Sequence, residues 1–420
     1  MEGNHVSRRE FLATSGAIAA ASAFAPGLLL KGTVEASAPI RVGLVGCGGR
    51  GTGAAINAAK ADPSVRIVAV ADLFADKVEK SLSWMRSELG AQVDISERST
   101  FLGFDACERL LASGVDLVIL ATPPHFRPAH IEASIAAGKH VFAEKAFAVD
   151  VPGLKRVQAS AELARRKGLS LVAGLPYRYE FSKRETVARI HQGAIGEIRH
   201  LYCSYNKGLW DYFPRQAGWS DMELQIRNYP HYLWLQGDIV VDLLVHNLDK
   251  VTWMMKGELP VRAWGMGGKE VATVGAGFDH HAIVYEYASG VRLTAYARAI
   301  QNVQFEVGDF AYGTEGTASL MDARISGRSS WQYSGPGNDM YQTQLDEMIA
   351  GIRSGRVIND GELMVNSNLL AIMGRWASYT GKVVTRDQVW GSRQVLGPAT
   401  YELGQVPDEK RAVPGRTQLS

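Results

Sequence analysis

Ile40-Arg41-Val42-Gly43-Leu44-Val45-Gly46-Cys47-Gly48-Gly49-Arg50-Gly51 is the stretch that decides the fold. Its first half is a short apolar run that reads as a strand, its second half has the spacing glycine-x-glycine-x-x-glycine, and Thr52 to Ala59 can continue as helix. Gly46 permits a tight turn, Gly48 lets backbone N–H groups approach a pyrophosphate, and Gly51 lets the helix pack on the strand. With Cys47, Gly49 and Arg50 these residues form a candidate dinucleotide loop. A second strand, Val65 to Ala71, ends in Asp72, about twenty residues beyond the glycines, where a carboxylate can accept both ribose hydroxyls of an adenosine. Asp72 would repel a 2′-phosphate, and Leu73 and Phe74 offer no arginine to bind one, so NAD is expected over NADP.

Moving outward, strand and helix keep alternating. Phe74 to Leu89 has helical character, Asp105 can cap a helix over Ala106 to Ala112, and Val115 to Ala121 is a continuously apolar strand of the kind buried in a parallel sheet. Thr122-Pro123-Pro124-His125 follows at the carboxyl end of that strand, where open α/β sheets place ligands. Ala129 to Ala137 reads as helix and Lys139 to Ala143 as a strand running into Glu144-Lys145-Ala146. The pattern predicts an α/β protein with an amino-terminal, doubly wound parallel sheet over residues 39–150, with Thr122, Pro123, Pro124, His125, Glu144 and Lys145 added to the cofactor set.

A second informative stretch is Gly237 to Met255, GDIVVDLLVHNLDKVTWMM, a nearly all-apolar helix that carries ionisable groups. Asp242, His246 and Asp249 fall on one stripe at helical spacing. A core histidine satisfied by Asp242 or a carbonyl, with Asp249 as a solvated edge, is the bland alternative to a catalytic site.

Composition is that of an ordinary globular chain: 420 residues, 46% hydrophobic, formal net charge +2. No basic block points to nucleic acid. Cys47, Cys107 and Cys203 have neither disulfide-framework nor zinc spacing, and adjacent His280 and His281 would face opposite sides of a strand, so no metal site is expected. Ser7-Arg8-Arg9-Glu10-Phe11-Leu12, the apolar run to Leu30 and Ala36-Ser37-Ala38 read as a twin-arginine signal peptide over residues 1–38. That implies export to the periplasm, with no stable membrane span after cleavage.

The glycine-rich turn, Ala121-Thr122-Pro123-Pro124-His125-Phe126, Gly138-Lys139-His140-Val141-Phe142-Ala143-Glu144-Lys145-Ala146 and the helix at Gly237 together resemble the Gfo/Idh/MocA family of NAD(P)-dependent sugar and cyclitol oxidoreductases. The resemblance spans nearly the whole chain after the leader. It implies a carboxyl-terminal α/β domain with a large, mostly antiparallel sheet, placed here at residues 151–390, and a homodimer or homotetramer. The family's Glu-Lys-Pro appears as Glu144-Lys145-Ala146, so a turn constraint, and with it a cis peptide bond, is expected to be lost with the proline. Its glycine followed by Asp-x-x-x-His falls on Gly237, Asp242 and His246. Lys145, Asp242 and His246 are thus the implied catalytic positions.

Residue chemistry agrees. Oxidising a secondary alcohol needs a base for the hydroxyl proton and a cation for the developing alkoxide, tasks suited to His246 and Lys145, with Asp242 orienting one of them. Arg178, Arg227 and Tyr229, together with Asp242 and His246, are selected for the pocket of a small carbohydrate or cyclitol, because Trp210 to Trp234 is rich in aromatics suited to sugar C–H faces. Two other readings stay open. One is an NAD-dependent glycoside hydrolase working by transient oxidation, elimination and hydration, with Tyr179, Glu180 or His231 as the extra acid; the other is a nucleotide-binding protein without catalysis. The remaining elements read as a helix Pro152 to Lys167, a strand Ser170 to Gly174, a helix Phe181 to Gln192, a strand Ile198 to Tyr205, four further strands between Val261 and Phe310, helices Tyr341 to Arg353 and Glu362 to Tyr379, and an aperiodic arm over 391–420.

Overall fold

The structure, a computed structural model, describes residues 38–420. The expected twin-arginine motif and most of its cleavage site lie outside the described residues. The amino-terminal sheet has six parallel strands in the order β3-β2-β1-β4-β5-β6. These are β1 (Arg41–Val45), β2 (Arg66–Asp72), β3 (Thr100–Leu102), β4 (Leu117–Leu120), β5 (His140–Glu144) and β6 (Leu171–Gly174). Helices α1 (Gly49–Ala61), α2 (Ala75–Leu89), α3 (Ala106–Leu111), α4 (Arg127–Ala136) and α5 (Val151–Lys167) connect them. β1, β4 and β5 are buried almost throughout, as their unbroken apolar runs require.

Two differences from expectation matter. β6 pairs in parallel with β5, so the first sheet extends past residue 150 to Gly174. Helix α5 is the crossover that any parallel pairing demands, and it belongs to this unit and not to the next. The cis peptide bond expected to disappear with the proline is present, between Lys145 and Ala146.

The second sheet has nine strands and is mostly antiparallel, in the order β14-β13-β12-β11-β7-β10-β9-β8-β15. Its long members are β7 (Ile198–Lys207), β8 (Arg262–Gly268), β9 (His280–Glu286), β10 (Arg292–Ala299) and β11 (Glu306–Gly313), and its short ones β12 (Gly316–Ser319), β13 (Arg324–Gly327), β14 (Trp331–Gln332) and β15 (Val384–Thr385); among these pairs only β7 and β10 run parallel. One face is roofed by α6 (Phe181–His191), α8 (Val245–Met254) and α10 (Gly361–Thr380), with α7 (Asp221–Arg227) between α6 and α8 in the chain and α9 (Met340–Ser354) between α8 and α10. α9 instead returns to the first unit: Leu345, Met348, Ile349 and Ile352 pack into the core beneath α1.

The Gly237 to Met255 stretch is not one regular helix. Gly237 and Asp238 both take positive φ, a π-helical turn spans Val240–Leu244, and regular helix begins at Val245. Below it, Lys250 and Asp309 form a fully buried ion pair, and Asn247 donates to Asp309 Oδ1 at 2.9 Å. Truncating one member strands a charge in hydrocarbon, whereas removing both does not. Lys250→Met is therefore expected to lower urea-measured stability by about 3–5 kcal/mol, and Lys250→Met with Asp309→Leu to recover most of that loss.

Candidate active site

The cleft lies at the carboxyl ends of β1, β2 and β4, where the strand order reverses. It encloses about 470 Å³ and is lined by Gly46, Gly48, Gly49, Arg50, Gly51, Asp72, Thr122 and Pro123, all expected from sequence. The glycines fit a dinucleotide in the way their spacing implies. A Cβ on Gly46, whose φ is +96°, would stand 2.6 Å from the Ala121 carbonyl carbon, and one on Gly51 would stand 2.2 Å from the Gly46 oxygen. Gly48 and Gly49 face open space. Helix α1 starts there without a side-chain cap and without an acidic residue in its first turn, so its amides are left for an anion. Asp72 accepts from the backbone N–H of Cys47 at 2.7 Å and of Phe74 at 3.0 Å, and burial holds its carboxyl above the usual range.

Five expected cofactor residues do not line the cleft: Glu144 and Lys145, which lie beyond Arg50, and Cys47, Pro124 and His125. The Cys47 thiol is buried against the Ala71 carbonyl. Pro124 is buried, and His125 turns away to the tail, with Nε2 2.7 Å from the Tyr401 hydroxyl and its ring edge-on to Trp234. Phe104, just after the three-residue β3, and Phe126, His130 and Lys77 line the cleft instead. The other wall comes from the insertion after β7: Trp210, Phe213, Ile226, Arg227, Tyr229 and Pro230 face the glycine loop. Its aromatics were expected to line a sugar pocket; Trp210, Phe213 and Tyr229 line this cleft, and the charges of Asp242 and Glu144 reach Tyr229. Arg227 stacks 3.8 Å above Phe74 and donates to Asp76 at 3.0 Å and Glu223 at 2.9 Å, which ties the insertion to α2.

Arg50 leads from the cleft to the chemistry. Its Nε donates to Glu144 at 2.6 Å, and its guanidinium lies 4.5 Å from the ring centre of Tyr341. Next to Glu144, the Lys145 ammonium donates to both the carboxylate and the carbonyl of Asp242, at 3.0 Å to Oδ1. One helical turn on, His246 sits edge-on to Tyr177 at 5.7 Å between ring centres, and its Nδ1 is buried without a hydrogen-bond partner. Burial and the nearby charges of Lys145, Lys250 and Arg50 hold its pKa well below the ordinary value, so the imidazole is neutral at pH 7. Lys145, Asp242 and His246, expected to converge from distant parts of the chain, do share one corner.

Other expected participants do not reach it. Arg178 is locked to Asp249 through Nε and a second guanidinium nitrogen at 2.9 Å, on the far flank beside Trp253. Asp249 is thus a buried ion-pair partner rather than a solvated edge. Tyr179 lies under Arg184, and Glu180 is paired with Lys183, so neither stands at the cleft. His231 contacts the Asp211 carbonyl near the cleft mouth. His281 hydrogen-bonds Asp238 at 2.9 Å inside the core while His280 pairs with Asp279, the opposite facing expected of strand neighbours. The 391–420 arm is packed: Glu409 accepts from the amides of Leu233, Trp234 and Ala276.

Residues 40–174 match the oxidoreductase family with NAD-binding Rossmann fold, and residues 184–319 match the Gfo/Idh/MocA C-terminal domain. Among curated relatives, a dTDP-3,4-didehydro-2,6-dideoxy-alpha-D-glucose 3-reductase of Actinomadura kijaniata is 29% identical, covering 40% of this chain and 46% of that protein. A glycosyl hydrolase family 109 protein of Porphyromonas gingivalis is 28% identical over 42% of this chain and 36% of its own length. The matches thus span less than half of these two relatives. An inositol 2-dehydrogenase of Burkholderia cenocepacia is 24% identical over 75% of this chain and 87% of its own. The crystal structure of scyllo-inositol dehydrogenase from Lactobacillus casei with bound cofactor NAD(H) and scyllo-inositol shares the fold, with a TM-score of 0.62 at 16% identity over 83% of this chain and 99% of that one.

Burial also sets a pH dependence. His125 and His130 are pushed down to about 4 and His246 falls well below 6.5, so below pH 6.5 the unfolded chain takes up protons that the folded chain refuses. Stability is present above the unfolded value and is lost as pH falls from about 6.5 toward 4, by up to about 1.4 kcal/mol per pH unit for each imidazole. Urea unfolding at pH 7.5 and pH 5 should show this loss, and His246→Asn should reduce its slope.

Proposed function

The chain belongs to the Gfo/Idh/MocA oxidoreductase family, and on that premise we propose that it moves a hydride between NAD and a secondary alcohol of a sugar, glycoside or cyclitol. The observation that carries this reading is the Lys145–Asp242 pair set one turn from a neutral His246, beyond a glycine-cradled cleft. Gly46 to Gly51 and Asp72 would hold the nucleotide, which supplies the hydride acceptor. NAD is preferred to NADP because the Asp72 carboxylate stands at the ribose end of the cleft, although Lys77 and Arg227 also line it.

His246, unprotonated, takes the hydroxyl proton, and the Lys145 ammonium stabilises charge developing on the oxygen. Asp242 aims the ammonium through two acceptor oxygens. Lys145→Ala and His246→Ala should each lower kcat by about 10²–10⁴-fold, with the fold unchanged by circular dichroism. Net NADH formation from a panel of cyclitols and sugars tests the assignment, and its absence with every alcohol would sink it.

A second reading, an NAD-dependent glycoside hydrolase, is favoured by the family 109 relative. It predicts aglycone release without net NADH on the same panel. Against it, Tyr179 and Glu180 are engaged away from the cleft.

Twin-arginine export also remains our reading of residues 1–38, and carrying NAD across the membrane in place would follow from it. No described helix is long and apolar enough to span a bilayer. The uncovered face of the nine-stranded sheet supports a homodimer or homotetramer: Tyr202 lies 5.7 Å from Tyr296 and 5.8 Å from Phe310, and Met266 is 73% exposed. Native mass spectrometry of protein prepared without added nucleotide should show a multimer carrying one NAD per chain.

A further inference from the structure

Strand β7 ends at Lys207. Side chains alternate along a strand, so Lys207 and Tyr205 share the face of Leu201 and Cys203, which pack in the core beneath α8. Lys207 ends that face against Trp210 of the cleft wall, and the charges of Asp242 and Lys145 act on it.

One cation at this corner has no bonded partner. Asp242 is taken by Lys145 and Glu144 by Arg50. Lys207 is half-buried; the carboxylates of Asp242 and Asp211 attract it, but among the described residues none lies within ion-pair distance of it. Its ammonium stands 4.2 Å from the centre of the Trp210 ring, and burial pushes its pKa down. Arg50 Nη2 is also buried without an acceptor. The neutral His246 adds no negative charge. A half-desolvated ammonium with no carboxylate bonded to it is costly, and an anion that pairs with it forms a charge-assisted hydrogen bond.

We propose that the substrate carries an anionic group, a carboxylate or phosphate on the sugar or cyclitol, and that Lys207 is the residue that receives it. The proposal rests on the oxidoreductase reading for the identity of the ring. It makes Lys207 a binding residue, selecting acidic sugars over their neutral counterparts without touching the reacting carbon.

The test titrates the NAD-loaded protein by calorimetry with glucuronate, glucose 6-phosphate, glucose and myo-inositol, and follows NADH in parallel. At least one acidic sugar should bind about tenfold or more tightly than its neutral counterpart, with the advantage shrinking as ionic strength rises. Comparing the carboxylate with the phosphate identifies which group is seated. Lys207→Met, which keeps an apolar stem against Trp210, should abolish the advantage of the acidic sugar over its neutral counterpart; Lys207→Arg should retain it. Equal affinity for acidic and neutral sugars, no binding of either acidic sugar, or a preference that survives Lys207→Met would overturn the proposal. Acidic sugars that bind through Lys207 without any NADH would leave it standing and defeat the oxidoreductase reading; NADH formed equally well from neutral sugars, insensitive to Lys207→Met, would do the reverse.

Discussion

One ion pair organises the molecule's functional half: the Lys145 ammonium, at the end of a parallel strand, and Asp242, in a helix of the other domain. Both groups are largely removed from water, so each depends on the other to offset its desolvation. The backbone around each is unusual. Lys145 precedes a cis peptide, and Asp242 sits in a π-helical turn after two residues of positive φ. A π turn departs from the regular hydrogen-bond ladder, and here the Asp242 carbonyl as well as its carboxylate accepts from Lys145. Two units, each built on its own sheet, meet at that pair.

Around that pair the protein keeps its charges neutralised two by two. Arg50 with Glu144, Arg178 with Asp249 and Lys250 with Asp309 are all cross-element pairs, and His246 stays uncharged among them. A low-dielectric site with compensated fixed charges strengthens whatever charge a reaction creates there. The same compensation makes one leftover cation informative.

The sequence made the nucleotide half legible because its signals are local. Strand, glycines, helix, strand and acid follow one another within a span where spacing alone sets geometry, and Lys145, Asp242 and His246 were singled out by the resemblance of two short motifs to those of the family. Features that depend on distant partners were not. Arg178 looked like a pocket residue because its type suits one, and only folding reveals that Asp249 claims it. β3 is three residues long, too short to show periodicity, yet it leads to Phe104 in the cleft. Tyr341 meets Arg50 from the far end of the chain, and α9 joins the first core through an apolar stripe that names no partner.

Glu409 accepts three amides from two separate segments, and Tyr401 meets His125, so residues 401–409 tie the rim behind the cleft to both units. Without Glu409, the Leu233, Trp234 and Ala276 amides would lose a shared acceptor, and a single carboxylate therefore sets how firmly that rim is held.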